Sequence, residues 1–203
     1  ITFEDYKVYG DTFTRTTPAA LSTKRDQLAG ASVGDYALFA GGAAYFAVVD
    51  AYDTDLTRTT PTALSTARYQ LAGASVGDYA LFAGGSGPSS VVDAYSADLI
   101  RTTPTALSTG RDALAGASVG DYALFAGGYA GSYSSVVDAY TTNLTRSTPT
   151  ALSVGREWVV GASVGDYALF AGGYTGSAYS AVVDAYTTNL TRSTPTALSA
   201  ARQ

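Results

Sequence analysis

The sequence predicts an all-β fold made of tandem units, each with four short antiparallel strands, and three recurring blocks carry that prediction. The first block starts at Leu28, Leu71 and Leu114 with the letters LAGASVGDYALFAGG and returns from Val159 as VVGASVGDYALFAGG. The second block starts at Val48, Val91, Val136 and Val182 with the letters VVDAY. The third starts at Leu56 as LTRTTPTALSTAR, and near copies start at Leu99, Leu144 and Leu190. Successive copies lie 43 to 46 residues apart, a similarity that indicates recent duplication or design.

The first half of each unit is predicted to be a tight hairpin of two strands. The strand LAGASV, which begins at Leu28, is rich in small residues, and the dipeptide Gly34-Asp35 after it is typical of a two-residue turn. The second strand, 36–40, is almost wholly apolar, as expected for a strand buried on both faces. The pair Gly41-Gly42 ends it.

The second half of the unit is predicted to be another hairpin, formed by strands 47–52 and 56–60 around the turn Asp53-Thr54-Asp55. Pro61 ends the last strand because it cannot donate a ladder hydrogen bond. With Thr54 at the centre of the turn, Tyr52 lies opposite Leu56 and Asp50 lies opposite Arg58. This register predicts an ion pair across the strands, and the same arithmetic gives three more: Asp93 with Arg101, Asp138 with Arg146, and Asp184 with Arg192.

Four strands in each unit of this length are typical of a blade of a β-propeller. The small residues Gly30, Ala31 and Ser32 are expected on the innermost strand, where blades crowd around the axis. We predict one domain, 1–203, with full blades at 25–67, 68–110, 111–155 and 156–202 and a half blade at 1–24. In that half blade Tyr9 and Phe13 stand at the Tyr and Leu positions of the repeat, and Lys7 faces Arg15. Three explanations stay open: an incomplete fifth blade, a fragment of a longer propeller, or a blade completed by a second chain.

Several of these residues resemble the kelch repeat. The paired glycines stand at 41–42, 84–85, 127–128 and 172–173, and a Tyr ends the third strand at Tyr52, Tyr95, Tyr140 and Tyr186. An Arg precedes the first strand at Arg25, Arg68, Arg111 and Arg156. The family's Trp is replaced by Leu56, Leu99, Leu144 and Leu190. The resemblance covers essentially the whole chain and implies a kelch-like β-propeller; a looser likeness extends to repeats of bacterial and phage surface proteins.

Composition limits the chemistry of the chain. The net charge is −5, so phosphate backbones are repelled and nucleic acid is not expected as a partner. The chain has no Cys and no His, which removes thiolate metal sites and the usual neutral-pH base. No apolar run is long enough to span a membrane. We therefore expect no enzyme activity, no cofactor and no metal site, and an extracellular or surface location is favoured.

Repeated polar positions have structural explanations that we favour over chemical ones. The carboxylates Asp35, Asp78, Asp121 and Asp166 each follow the turn glycine, where they favour a tight turn. The glycine pairs precede neither a helix nor a Lys, so they indicate positive φ or close packing rather than a phosphate loop. The arginines before the first strands are expected to be buried and structural instead of forming a basic ring.

The copies differ most in two windows, and there we place a candidate binding surface. One window follows the second strand and reads AAYFA, SGPSS, YAGSYSS and YTGSAYSA in the four units. The other precedes the first strand and holds Asp26-Gln27, Tyr69-Gln70, Asp112-Ala113 and Glu157-Trp158. In an antiparallel blade both windows emerge on one rim. The predicted ligand-binding residues there are Tyr45, Phe46, Tyr69, Tyr129, Tyr133, Trp158, Tyr174 and Tyr179.

Two functions follow from these patterns. The first is a recognition module whose variable rim binds a protein or a cell-surface glycan, because Tyr and Trp with Ser and Gly form adaptable contact surfaces. The second is a structural or assembly element that self-associates through its open half blade, since an unpaired edge is a template for strand addition. An engineered propeller without a natural ligand is a third explanation, which the unequal loop lengths disfavour.

Overall fold

The structure is a computed structural model that describes residues 17–202. These residues form four four-stranded antiparallel sheets, and the strands of each sheet follow the order of the chain. The prediction of an all-β fold of tandem four-stranded units is therefore confirmed. The predicted pairing of Lys7 with Arg15, and most of the half blade that contains it, lie outside the described residues.

Each sheet is one blade. In blade 1 the first two strands match the predicted ones within one residue, whereas the third begins two residues later than predicted and the fourth, predicted at 56–60, is Arg58–Thr59. Blade 1 contains β1 (Ala29–Val33), β2 (Tyr36–Ala40), β3 (Val49–Tyr52) and β4 (Arg58–Thr59). Blade 2 contains β5 (Ala72–Val76), β6 (Tyr79–Ala83), β7 (Val92–Ser96) and β8 (Arg101–Thr102). Blade 3 contains β9 (Ala115–Val119), β10 (Tyr122–Ala126), β11 (Val137–Thr141) and β12 (Arg146–Ser147). Blade 4 contains β13 (Val160–Val164), β14 (Tyr167–Ala171), β15 (Val183–Thr187) and β16 (Arg192–Ser193).

The first hairpin of the blade has the predicted register. Val33 lies opposite Tyr36, so Gly34-Asp35 forms the whole loop. Gly34 has a φ of +51°, a conformation that glycine adopts without steric cost. The three other blades repeat this pairing.

The predicted register of the second hairpin is wrong by two residues. Tyr52 lies opposite Arg58 rather than Leu56. The reason is that the loop is 54–56: the N–H of Asp53 donates to the carbonyl of Thr57, and Leu56 has a left-handed φ of +60°. A type I turn followed by a left-handed residue is a common three-residue hairpin loop, although a glycine or asparagine is the usual sign of it.

The predicted ion pairs nevertheless form, as diagonal rather than directly opposed pairs. Asp138 shares a face with Tyr140, and Tyr140 lies opposite Arg146, so Arg146 reaches Asp138 across the ladder. The Arg146 Nη1–Asp138 Oδ1 distance is 2.9 Å. The matching pairs are Arg58–Asp50, Arg101–Asp93 and Arg192–Asp184.

The Arg before each first strand is buried, as predicted, and completes the same network. The Nη2 of Arg111 lies 2.7 Å from the Oδ2 of Asp138 and also donates to the carbonyl of Phe125. The backbone N–H of Ser108 donates to Asp138 Oδ1. We call the segment between the last strand of one blade and the first strand of the next the connector. Through Ser108 and Arg111 the buried carboxylate of Asp138 holds the connector and the second strand, and through Arg146 it holds the outer strand.

Apolar side chains fill the spaces between consecutive blades. We call the face packed on the following blade the front face and the face packed on the preceding blade the back face. In the first interface Val33 and Leu38 belong to the front face of blade 1, and Phe82 and Tyr95 belong to the back face of blade 2. Equivalent residues form the next two interfaces.

The innermost strands approach each other closely enough to require small residues. The hydroxyl of Ser75 donates to the carbonyl of Ser32 at 2.6 Å and accepts the N–H of Ser32 at 3.1 Å. Ser118 and Ser163 continue this ladder. The Cα of Gly73 faces the carbonyl of Gly30 so closely that a Cβ there would overlap the oxygen.

The blades are arranged as an open row. Strands β1, β5, β9 and β13 contact one another in sequence. Strand β13 makes no comparable contact with β1, so the described residues form an open propeller-like arrangement rather than a closed ring.

Candidate binding surface

The two variable windows lie side by side in every blade because their backbones are hydrogen-bonded to each other. In blade 3 the N–H of Tyr129 donates to the carbonyl of Asp112 at 2.8 Å, and the N–H of Asp112 returns a bond to Tyr129. In blade 4 Glu157 and Tyr174 exchange the same two bonds. Blades 1 and 2 have one of these two bonds: the N–H of Ala43 donates to the carbonyl of Asp26, and the N–H of Ser86 donates to that of Tyr69. The windows thus form one continuous surface, which we call the variable face.

The near-invariant turns lie on the other side of the molecule. The turn glycine between the first two strands of a blade meets the outer turn of the following blade: Gly34 contacts Ala97, and Gly77 contacts Thr142. We call this side the turn face. Differences in loop length are therefore confined to the variable face, while on the turn face the Gly-Asp turns are identical in all four copies and the outer turns keep one length.

Four of the predicted residues form one aromatic cluster across blades 3 and 4. The ring centroids of Tyr129 and Tyr133 lie 5.5 Å apart, those of Tyr133 and Tyr174 5.7 Å, and those of Tyr174 and Tyr179 5.6 Å. The first two pairs are edge-to-face, an arrangement that the quadrupoles of aromatic rings favour. We call these four side chains the tyrosine cluster.

Short loops that fold back on themselves build the tyrosine cluster. The backbone of Tyr129 pairs with that of Tyr133 in an isolated antiparallel β-bridge, and Tyr174 pairs with Tyr179 in the same way. The loop of blade 4 passes over Tyr133 at Gly176, where a Cβ would overlap the tyrosine ring. Gly176 also has a φ of +93°, so this position needs glycine for both backbone and packing reasons.

Trp158 lies apart from the tyrosine cluster, at a depression near the inner ends of the blades. The indole is 43% exposed. Gln27, Gln70, Ala113 and Trp158 occupy equivalent positions, and all have left-handed φ between 51° and 55°. The N–H of each of the last three donates to the carbonyl of the one before it, at 2.8 to 3.0 Å. The depression has a volume of about 400 Å³, and its floor is apolar: Leu28, Leu71, Leu114 and Val159.

The remaining predicted residues are placed as follows. Tyr45 and Tyr69 form a second aromatic pair, with ring centroids 5.2 Å apart, on blades 1 and 2. Phe46 is half-buried, and its backbone accepts the N–H of Arg68, so part of its role is structural. Gln27 and Gln70 were not among the predicted ligand-binding residues, yet both border the depression. Their position could have been predicted from the sequence, because both residues align with Trp158 in the second variable window.

Two carboxylates give the variable face an acidic character beside the tyrosine cluster. Burial raises the pKa of Asp112. Burial and the charge of Asp112 together raise the pKa of Glu157. Burial, followed by the charge of Glu157, raises the pKa of Tyr133. These groups are acceptors or donors of hydrogen bonds, but within residues 17–202 no three acidic side chains gather as a metal site would require.

The described residues define a class of protein: an all-β tandem-repeat chain with an open propeller-like arrangement and one variable loop face. The chain is similar to the solved structure of YjhT, with a TM-score of 0.73 and 13% sequence identity over 90% of this chain and 68% of that one. A likeness at this identity concerns the fold alone. No model of a known protein family matches the chain, and neither does any curated protein. Residues 17–202 contain no helix that could cross a membrane.

Proposed function

We propose that this chain is a non-catalytic recognition module of the kelch-repeat type that binds a protein or a cell-surface glycan through its variable face. The observation that carries the proposal is the concentration of sequence differences and exposed aromatic rings on one face. Loop drift alone gives no reason for aromatic rings to gather there, because contiguous apolar patches are uncommon on the surface of monomeric proteins and mark interaction sites.

The chemistry of the variable face suits sugar rings and peptide side chains. Tyr and Trp present large apolar faces with a polar group at one end, and they lose little conformational entropy on binding. The depression lined by Trp158, Gln27 and Gln70 combines a stacking surface with amide donors and acceptors. The carboxylates of Asp112 and Glu157 add acceptors for hydroxyl groups.

The kelch assignment rests on what its characteristic residues do in this fold. The buried Arg111 is paired with Asp138, and the hydroxyl of Tyr140 donates to the carbonyl of Thr105 at 2.8 Å. Since the buried carboxylates of the repeat are held by arginines, they are not free for acid–base chemistry. A surface-associated location agrees with this proposal and is part of it.

The test is a screen of the purified chain against a glycan array and a phage-displayed peptide library, with Trp158→Ala run beside the wild type. An indole at the centre of a contact surface is typically worth at least about 2 kcal/mol, so we expect Trp158→Ala to weaken binding roughly 30-fold. Because Trp158 is half in solvent, the variant should keep the wild-type circular dichroism spectrum.

The matched control is Ile100→Ala, which removes an exposed apolar side chain from the turn face. Ile100→Ala is expected to leave every selected ligand bound with wild-type affinity. Loss of binding in this control, or wild-type affinity in Trp158→Ala, contradicts the proposal.

A further inference from the structure

The front face of blade 4 is exposed, although the same face is buried in the other three blades. Val164 is 60% exposed, whereas its equivalents Val33, Val76 and Val119 are each 3% exposed. Val160 is 62% exposed, while the alanines at its position in the other blades are buried. Blade 4 therefore presents to solvent the surface that elsewhere contacts the next blade.

The innermost backbone of blade 4 also lacks the hydrogen bonds that its equivalents make. In blades 1 to 3 the serine of the first strand donates its N–H to the next blade's serine hydroxyl and accepts that hydroxyl's proton at its carbonyl. Ser163 ends this ladder, and its N–H and carbonyl have no such serine partner within residues 17–202. A further serine from an added strand would continue the ladder.

The connector that leads to a next blade is already in place on blade 4. The N–H of Leu198 donates to the carbonyl of Ala181 at 2.8 Å, as that of Leu64 does to Ala47. The N–H of Gly173 donates to the carbonyl of Arg202 at 2.8 Å, as that of Gly42 does to Arg68. The segment 194–202 thus has the geometry of an internal connector.

A cavity beside this connector lies where, in the earlier interfaces, the following blade places an apolar side chain. It has a volume of about 330 Å³ and is lined by Val160, Ala171, Gly172, Leu198, Ser199 and Arg202. At the equivalent glycines, Gly41 and Gly84, the space is occupied by Leu71 and Leu114 of the following blade. The leucine that opens LAGASVGDYALFAGG is therefore the residue that would fill the cavity.

A second copy of the chain is a poor occupant of this face. The connector that precedes blade 1 is fixed to that blade, because the hydroxyl of Tyr52 donates to the carbonyl of Ala19 and the N–H of Ser22 donates to Asp50. A docked copy would bring its own connector to the position that 194–202 already occupies. A hairpin without a connector avoids this conflict.

We propose that the front face of blade 4 binds a β-hairpin with the sequence of the repeat's first two strands, LAGASVGDYALFAGG. Within the chain, the innermost strand β1 takes its contacts with blade 2 from β5 and β6, which form this hairpin. The glycine at the position of Gly73 would lie against the carbonyl of Gly161, the serine would extend the ladder, and the aromatic residue at the position of Phe82 would cover the exposed apolar side chains.

The test is titration of the chain with a fluorescent synthetic peptide of residues 28–42, followed by fluorescence polarisation. We expect saturable one-to-one binding. Gly30→Val in the peptide should weaken it at least tenfold, because a side chain there would meet the carbonyl of Gly161. Val164→Asp in the chain should have a similar effect, and because Val164 is 60% exposed, we expect the variant to fold as the wild type does. Ile100→Ala, which removes an exposed side chain from the turn face of blade 2, should leave peptide binding at the wild-type level.

A second measurement does not depend on the solubility of the peptide. Gln203 is replaced by the sequence of residues 26–42, so that this sequence follows Arg202 directly. The urea midpoint of the extended chain is then compared with that of an extension carrying Gly30→Val. We expect a higher midpoint with the first extension only. Equal midpoints, equal binding of the two peptides or indifference to Val164→Asp overturns the proposal. A concentration-dependent dimer of the unmodified chain that Val164→Asp and Gly30→Ala abolish would assign the face to a second copy and also overturn it.

Discussion

Gly116→Ala is expected to lower the free energy of unfolding by about 3 kcal/mol, the upper part of the usual range for overpacking. Gly116 has no positive φ, so the cost does not come from backbone conformation. It comes from the approach of two blades, because a Cβ on Gly116 would overlap the carbonyl oxygen of Gly73. The methyl group can be accommodated only if blades 2 and 3 move apart, which also disturbs the serine ladder beside it.

Gly30→Ala is the matched control, since Gly30 has the same place in the first strand of blade 1. The nearest atom to a Cβ there is on the ring of Phe39, at an ordinary contact distance of 3.6 Å. We expect unchanged or slightly higher stability, because alanine loses less conformational entropy than glycine on folding. Urea denaturation followed by tyrosine fluorescence and circular dichroism measures both variants. Equal destabilisation by the two substitutions would show that close blade packing is not the cause.

Asp138→Asn is expected to lower the free energy of unfolding by about 3 to 5 kcal/mol, the usual cost of removing one partner of a buried ion pair. The substitution keeps the shape of the side chain but removes the charge that faces Arg111, which is fully buried. The guanidinium would then be left in the interior without its counter-ion. The outer strand would lose its pairing as well, because Arg146 contacts the same carboxylate.

The control for Asp138→Asn is Asp121→Asn, which makes the same chemical change in the exposed turn between β9 and β10. We expect it to change stability by no more than about 0.5 kcal/mol, as is usual for surface substitutions. Thermal and urea denaturation of the two variants at pH 7 provide the comparison. Similar losses in both would mean that the buried network contributes nothing specific to the stability of a blade.

Much of the fold could be predicted because each repeat carries its own local signals. The turn at Gly34-Asp35 fixed the first hairpin to the residue, and the apolar run 36–40 marked β2 without error. The second hairpin was misplaced because Leu56 adopts a left-handed conformation that its residue type does not announce. The predicted ion pair forms in spite of this error, because the long side chain of Arg58 contacts Asp50 diagonally across the two strands.

The candidate site was predictable in composition but not in geometry. Differences between copies identified the windows that contain Tyr133 and Trp158, but contacts between blades decide how those residues are grouped. Tyr133 joins Tyr174 because Gly176 leaves room for its ring. The depression beside Trp158 forms only when four blades stack and bring Gln27 and Gln70 into the same row, so the sequence of one unit contains no sign of it.

An exchange of one loop tests the binding role of the variable face most directly. Residues 129–135, YAGSYSS, are replaced by residues 86–90, SGPSS, so that Tyr129 and Tyr133 are removed together. The exchange should preserve the fold, because the two loops are held in the same way. Gly155 lies against the carbonyl of Tyr133, as Gly110 lies against the carbonyl of Pro88 in the shorter loop. The N–H of Ser134 donates to the carbonyl of Gly128, as that of Ser89 donates to Gly85. The affinity of this variant is then measured for the glycan or peptide that the wild-type chain selects from the array and the library. A loss of at least tenfold, with a urea midpoint close to that of the wild type, is the result that we predict. Wild-type affinity in the correctly folded variant would contradict the binding role proposed for the tyrosine cluster.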